Sequence, residues 1–490
     1  MEREVELKLE ISPRELARLQ RHPRVRALST GPARTATLRS VYFDTRDLAL
    51  ARRGMGLRLR WMGGRRRPIQ TLKLRGAGAT GLFERGEVEC SVSGARPDLD
   101  ALPDAALRRR LRRALAGAAL EPVFETRMRR TSRVLREGRD EWSLDLDVGE
   151  ARTARRRAPF CELELELRRG RAARLYGFAL ELAQTIALLP DARSKADRGY
   201  ALLPRACAPA ARPTRFALRP DHSVGQALDG VLRSAVERLT RDVRALLDAE
   251  TDRAVEALEG DVRRVCAVLE IFAGVLPAQR VRRIRAALEP IGDASRALLE
   301  VEGFTAPCRA KRLPRVARLS AVRARLRAPG CAHALLDLGA LLAAEATRGA
   351  ARRGAVRSRR IAPFATAQLE RLHRGVRREL ERRARTPGAA PRSLCRAVAD
   401  LREAVELFRP LLRGTEWRDY RRRLAWLARR LEWIEAGRGA AELAPRVRGP
   451  ARGAASACAL RRAQRRAARA ARELARPGAL PGRPPRRAPR

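Results

Sequence analysis

Glu4-Val5-Glu6-Leu7-Lys8 is the sharpest chemical feature of the sequence. On an extended strand, residues two apart share a face, so Glu4, Glu6 and Lys8 point one way while Val5, Leu7 and Leu9 point the other. The same spacing recurs along the first 200 residues. Arg58 and Arg60 share a face, as do Glu87 with Glu89, Asp145 with Asp147, and Glu162 with Glu164 and Glu166; Lys73 closes a Thr-Leu-Lys stretch. On any single strand such a row also suits a solvated surface. Acids alone on one strand and bases alone on the next suit a closed sheet with a charged interior. Carboxylates there would hold hard divalent cations, and Arg and Lys would neutralise phosphate oxygens. A barrel of about eight strands leaves room for one small ligand. The expected ligand is a short linear polyanion bound with Mg²⁺ or Mn²⁺.

Two regimes of periodicity position these residues. Before residue 205, period-2 stretches at 4–11, 38–45, 55–62, 68–75, 82–92, 127–137, 141–150 and 161–168 predict strands. Glycine-bearing turns are expected at 63–67 and 76–81, a capped helix start at Ser12-Pro13-Arg14-Glu15, and helices at 103–116 and 171–187. After a Pro-rich joint the period becomes helical, near 223–248, 252–275, 278–300, 314–327, 331–348, 364–385, 391–413, 415–436 and 456–475. The fold class is therefore α+β: an antiparallel β domain over 1–203, a linker over 204–216, an all-helical bundle domain over 217–475, and a disordered basic tail over 476–490. The segments 262–272 and 398–408 resemble each other, which suggests an internal duplication.

The chain has 490 residues and a net charge of +50, a length for two to four domains at roughly 100–200 residues each. Only Lys8, Lys73, Lys195 and Lys311 are lysine; the other 102 of the 106 basic residues are arginine, a pattern that a GC-rich coding bias would produce. Residues 1–200 hold 43 bases and 27 acids, leaving +34 of the net charge to residues 201–490. Charge alone therefore does not name a partner. The eight cysteines include no C-x-x-C pair and the four histidines lie far apart, which argues against a disulfide frame, a zinc site and histidine-based triads. No signal-peptide core or membrane span is expected, and 4% aromatics argue against recognition of single-stranded nucleic acid by stacking.

The first 200 residues resemble the CYTH family of triphosphate tunnel enzymes. The likeness runs in order through Glu4-x-Glu6-x-Lys8, YFDT (42–45), ALARRGMGLRLR (49–60), QTLK (70–73), LFERGEVE (82–89), PVFETRMRRT (122–131), CELELEL (161–167) and SKADRGYAL (194–202). The resemblance implies an eight-stranded antiparallel tunnel and a Mg²⁺- or Mn²⁺-dependent triphosphatase acting on inorganic triphosphate. It implies catalytic roles for Glu4, Glu6 and Lys8, with Lys8 near the scissile phosphoryl group. Metal ligands would come from Glu4, Glu6, Glu89, Asp145, Glu162 and Glu164, and substrate contacts from Arg58, Arg60, Lys73, Arg127 and Lys195. Three of the four lysines fall on these motifs, which drift toward arginine does not predict.

The helical half resembles a CHAD domain, which implies polyphosphate binding and a cytoplasmic protein, with association to polyphosphate granules as a variant. Glu256 and Glu259 stand where that family's His and Arg are expected, and Cys395 and Asp400 replace basic positions in the second repeat. Alternatives are an adenylate cyclase or thiamine triphosphatase of the same fold, and a non-catalytic polyphosphate-binding protein.

Overall fold

The computed structural model describes residues 2–63, 67–74, 77–79, 81–204, 216–248, 251–304, 315–345, 351–385, 392–443, 462, 465–474 and 480–481. Its strands are β1 (Glu2–Ile11), β2 (Arg34–Asp44), β3 (Met55–Met62), β4 (Ile69–Leu74), β5 (Ala77–Ala79), β6 (Leu82–Ser91), β7 (Glu121–Glu137), β8 (Asp140–Arg152), β9 (Arg157–Arg169) and β10 (Leu188–Pro190). All pair antiparallel, in the order β10-β1-β9-β8-β7-β2-β3-β4-β6-β5, and β1 also pairs with β6. That last pairing closes a barrel of eight strands, with β5 and β10 as short additions.

Alternation decides what lies inside. The barrel carries its charges and hydroxyls inward, so its apolar rows face out and need covers. The tunnel region supplies six helices: α1 (Pro13–Gln20), α2 (Pro23–Leu28), α3 (Ala49–Arg52), α4 (Ala105–Leu115), α5 (Ala172–Ala183) and α6 (Lys195–Tyr200). Leu7, Leu9, Trp142, Leu144, Leu146, Leu163 and Leu165 pack with Tyr176, Phe178 and Leu182 of α5 in one buried cluster. Leu57, Leu59, Leu72 and Val88 pack with Leu107, Leu111 and Leu115 of α4 in another. Asp104 starts α4 by accepting from the backbone N–H groups of Ala106 and Leu107 at 2.8 and 3.0 Å.

Several expectations change in detail. The strand expected at 127–137 begins at Glu121 and runs 17 residues, because Pro122 sits at a register shift between Tyr42 and Phe43 rather than ending the strand. Ser12 occupies the N-cap of α1 in extended conformation, but its hydroxyl makes no capping bond. The linker over 205–215 and residues 64–66, 75–76 and 80 of the expected turns lie outside the described residues, as does nearly all of the tail.

The further helices are α7 (Val224–Asp248), α8 (Asp252–Ile271), α9 (Ala278–Phe304), α10 (Arg315–Arg327), α11 (Pro329–Glu345), α12 (Ala351–Arg357), α13 (Ile361–Arg385), α14 (Arg392–Phe408) and α15 (Thr415–Leu443), and residues 465–474 are also helical. The chain divides into two compact units, 1–214 with 327–346, and 215–326 with 347–490. Helix α11 therefore belongs to the tunnel unit, not to a helical domain running unbroken from 217 to 475. It is mostly apolar, with Leu335, Leu336, Leu338 and Leu341 buried and Asp337 the buried exception, so its sequence announces burial without saying against what.

In the helical unit the look-alike segments lie in α8 and α14, and Arg263 of α8 reaches Glu403 of α14 at 3.5 Å. Asp400 of α14 is buried and faces Arg285, Glu270, Arg396 and Glu289. Burial is the main reason its carboxyl rises from 3.8 to about 7. The folded state then keeps a proton that the unfolded chain sheds, so stability falls as pH rises across that window. One pKa unit corresponds to about 1.4 kcal/mol, so the loss is a few kcal/mol at most. Melting temperatures at about pH 5 and pH 8 should lie closer together in Asp400→Asn than in the parent; an unchanged gap would refute the assignment.

Candidate functional site

The inner face of the barrel is assembled by register. Lys8 lies opposite Glu164, Asp145 opposite Glu164 on the other side, Asp147 opposite Glu162, and Arg130 opposite Asp147. Strands β1, β7, β8 and β9 thus bring one mixed set of charges together. Asp147, Glu162 and Glu164 are all buried, and each places an oxygen within 4.8 Å of the others'.

Three cations hold these acids. Lys195 Nζ donates to Asp147 at 2.7 Å, to Glu164 at 2.6 Å and to Glu162. Arg130 donates to both oxygens of Asp147 at 2.7 and 2.6 Å, to Asp145 at 2.8 Å and to Glu164. Lys8 bridges Glu6 and Glu164. Burial alone would raise the Glu164 carboxyl, but Lys195, Lys8 and Arg130 outweigh it and hold the group well below the usual carboxylate range. The same contest leaves Asp147 lowered, by Lys195 and Arg130.

Helix α6 delivers Lys195. Ser194 and Asp197 form a reciprocal capping box at its start, with the Asp197 N–H donating to the Ser194 hydroxyl at 3.1 Å and the Ser194 N–H donating to Asp197 at 2.8 Å. Asp191 holds the same segment, accepting from Arg198 at 2.7 Å, and its own N–H donates to the Lys8 carbonyl at 3.1 Å. Lys8 is fixed from the other side too, its N–H donating to the Gly81 carbonyl at 2.9 Å. Gly81 has φ +80°, and a Cβ there would stand 2.5 Å from the Lys8 carbonyl oxygen.

A second group lies further along the tunnel. Lys73 donates to Glu4 at 2.9 Å and to Glu87 at 2.8 Å. Burial, then the charges of Glu4, Asp145 and Glu164, push the Glu166 carboxyl up to about 7. On β3, Arg58 stands 3.7 Å from Glu87 and 4.0 Å from Glu89, and its buried Nε has no hydrogen-bond partner. Arg60 donates to the Ser40 hydroxyl at 3.3 Å. Burial, then Arg58 and Arg130, lower the Arg60 guanidinium to about 10. Arg58 is answered by Glu87, Glu89 and Tyr42, whereas the strongest neighbours of Arg60 are cations, an environment that an anion restores.

The structure brings together Glu6, Lys8, Asp145, Glu162, Glu164 and Lys195, and beside them Glu4, Lys73, Arg58 and Arg60. One expected residue stands apart. Arg127 is exposed on the outer face, paired with Glu125 at 2.9 Å; the inward row of β7 runs through Thr126 and Met128 to Arg130, so the arginine role shifts by strand parity. Glu89 is half-exposed, accepts from Thr71 at 2.9 Å and stands 4.0 Å from Arg58, so it joins the second group rather than the acid triad. Sequence reasoning assigned no role to Asp147, Glu166, Arg130 or Asp191. Asp147 and Glu166 were visible as the next members of rows already read. Lys195, expected on the substrate, contacts the acids Asp147, Glu162 and Glu164.

The carboxylate oxygens suit Mg²⁺ or Mn²⁺ by hardness and charge. The lysines and Arg130 contact those oxygens, so a cation binding there would displace ammonium or guanidinium contacts.

Residues 2–200 match the family profile of the CYTH domain. These residues form a CYTH domain. The CYTH region is 28% identical over 203 residues to an inorganic triphosphatase of Haemophilus influenzae, a match covering 41% of this chain and 55% of that protein. The chain thus spans about half the length of that curated relative. Among solved structures, a proposed adenylyl cyclase from Hippeastrum with a dominant triphosphatase activity is 20% identical, covering 41% of this chain and 98% of its own at a TM-score of 0.32. The CHAD domain of Ricinus communis is also 20% identical, covering 54% of this chain and 92% of its own at a TM-score of 0.36. Among the described residues, no helix is long and apolar enough to cross a membrane.

Removing one partner of a buried ion pair costs about 3–5 kcal/mol, because the other charge is left unpaired. Lys195→Met should therefore lower unfolding stability by an amount of that order in metal-free buffer, and millimolar Mg²⁺ should recover part of it. Denaturant titrations with and without Mg²⁺ check this; a loss that Mg²⁺ leaves untouched would separate the triad from cation binding.

Proposed function

We propose that the tunnel hydrolyses inorganic triphosphate with the help of Mg²⁺ or Mn²⁺. The observation that carries this is the two-signed interior: a buried acid triad on β8 and β9 shares the tunnel with Arg58 and Arg60 of β3, and the strongest neighbours of Arg60 are cations. Neither half suits an apolar ligand, and the pair suits a short chain of phosphates with its counter-cation. The match to the Haemophilus influenzae inorganic triphosphatase supports the same conclusion.

Phosphoryl transfer needs positioning and charge neutralisation more than covalent help. Arg58, Arg60 and Lys73 bind terminal and bridging oxygens from one wall, and Arg130 reaches in from another. Lys8, fixed through both its backbone groups, points its ammonium at the group being transferred. Lys195 keeps the acids ordered and ionised until substrate arrives. A bound divalent cation supplies further neutralisation and a more acidic water. No nucleophilic serine or cysteine is required.

The helical unit is proposed to bind polyphosphate through its excess of arginine. The +34 charge supports this; the acids at the expected positions weaken it, since Glu259 is buried between Arg263 at 3.3 Å and Arg296 at 3.0 Å. Such binding would be electrostatic and salt-dependent. A cytoplasmic location, with or without granules, goes with that role.

Phosphate release should be measured with triphosphate, long-chain polyphosphate, ATP and thiamine triphosphate, each with Mg²⁺ or Mn²⁺. Triphosphate is expected to turn over fastest, and inert triphosphate alongside cyclic AMP from ATP would overturn the proposal. Glu4→Gln should abolish most metal-dependent release; near-normal turnover at saturating Mg²⁺ would sink the role of Glu4. Arg130→Ala should cost about 10²-fold in kcat, the scale of a lost electrostatic contact, whereas Arg127→Ala should stay within about twofold, as surface changes do.

A further inference from the structure

Helix α11 lies in the helical half of the sequence yet belongs to the tunnel unit. Leu336 and Ala340 join the buried cluster of Phe178, Leu182 and Ala183 from α5 and Leu188 from β10. Strand β10 is three residues long, pairing Leu188, Leu189 and Pro190 with Ile11, Glu10 and Leu9 of β1. So short a strand has little hold of its own; α11 presses on one side of it and β1 hydrogen-bonds the other.

The segment immediately after β10 carries part of the site. Asp191 comes first, donating its N–H to the carbonyl of Lys8 and accepting from Arg193 at 3.0 Å and Arg198 at 2.7 Å. Arg198 also lies 3.5 Å from Glu162. Ser194 caps the start of α6, and Lys195, its first residue, reaches Asp147, Glu162 and Glu164. Every link from Leu336 to the acid triad is a packing contact, a ladder, a short covalent step or a hydrogen bond within one compact unit.

We infer that α11 is a positioning element of the tunnel site, setting Lys195 and Lys8 through β10 and Asp191. The inference rests on the proposed triphosphatase reading. It predicts that the tunnel sequence up to residue 204 does not by itself hold its catalytic geometry, although every charged residue of the site lies within it. The helix touches none of the reacting groups and acts only through the segment it clamps.

The test uses the full chain. Leu336→Glu should lower kcat for triphosphate by about 10²-fold, the cost of a misplaced catalytic group, with KM changed far less. Amide hydrogen exchange over 188–200 should rise in the same protein, while Leu336→Met, which keeps volume and apolarity, should restore both. Wild-type kcat and wild-type exchange in Leu336→Glu would overturn the inference. Should that variant unfold, Leu336→Ala thins the packing on β10 while keeping the position apolar; it should lower kcat and raise exchange over 188–200 in the same sense, and wild-type values of both would equally overturn the inference. Were the parent inert toward triphosphate, the activity proposal would fail, and exchange over 188–200 in Leu336→Glu against Leu336→Met would still decide whether α11 holds the segment.

Discussion

Everything in the first unit depends on one constraint: charges taken out of water must be answered by charges of the other sign. A lone buried carboxylate is prohibitively costly, and even a paired one gains only when its remaining lone pairs are satisfied. The tunnel meets this with shared cations. Lys195 serves three carboxylates and Arg130 serves three. Those sharings fix which strands must be neighbours, because Asp147, Glu162 and Arg130 can meet only if β9, β8 and β7 stand side by side. A barrel with its charges inside has its hydrophobic core outside, and the helices of this unit are the other half of that core.

Much of the arrangement was legible in the sequence because a strand has a period of two. Glu162, Glu164 and Glu166 announce one face whatever their neighbours do. The phase of a row was less legible than its existence. In the run Arg127-Met128-Arg129-Arg130 three arginines compete for the inner face, and only the register with Asp147 selects Arg130. Pro122 obscured the start of the same strand, since proline ordinarily marks an end. The role of Asp191 could not be read at all: a lone acid after a short apolar stretch has no periodicity to betray it. Helix α11 defeats sequence reading for the opposite reason, because a helix with apolar residues on most of its circumference fits many interiors equally well.

The arginine excess divides in the same way. Inside the tunnel each arginine has a place and a sign to answer. In the helical unit many are tied to acids on their own or adjacent helices, as Arg285 is to Glu270 and Glu289, and Arg238 and Arg264 are to Asp261. These pairs are part-buried, and Asp261 is buried outright, so the guanidinium groups are turned toward acids of their own unit. Each such pair is already cancelled in the net +50, so an outside polyanion meets that excess and not all 106 basic residues.

Strand β1 has a further consequence, for the order in which the molecule is built. Its partners are β6 at 82–91, β9 at 157–169 and β10 at 188–190. It leaves the ribosome ahead of all of them, and its Glu-x-Glu-x-Lys face stays without its full set of partners until β10 has emerged. Long-range pairing of this kind is slow and leaves strand edges open meanwhile. The alternating charges of β1 are well suited to that interval, since a charged row resists pairing with the wrong edge. The residues that equip the finished tunnel for polyanions would thus also keep the unfinished one soluble.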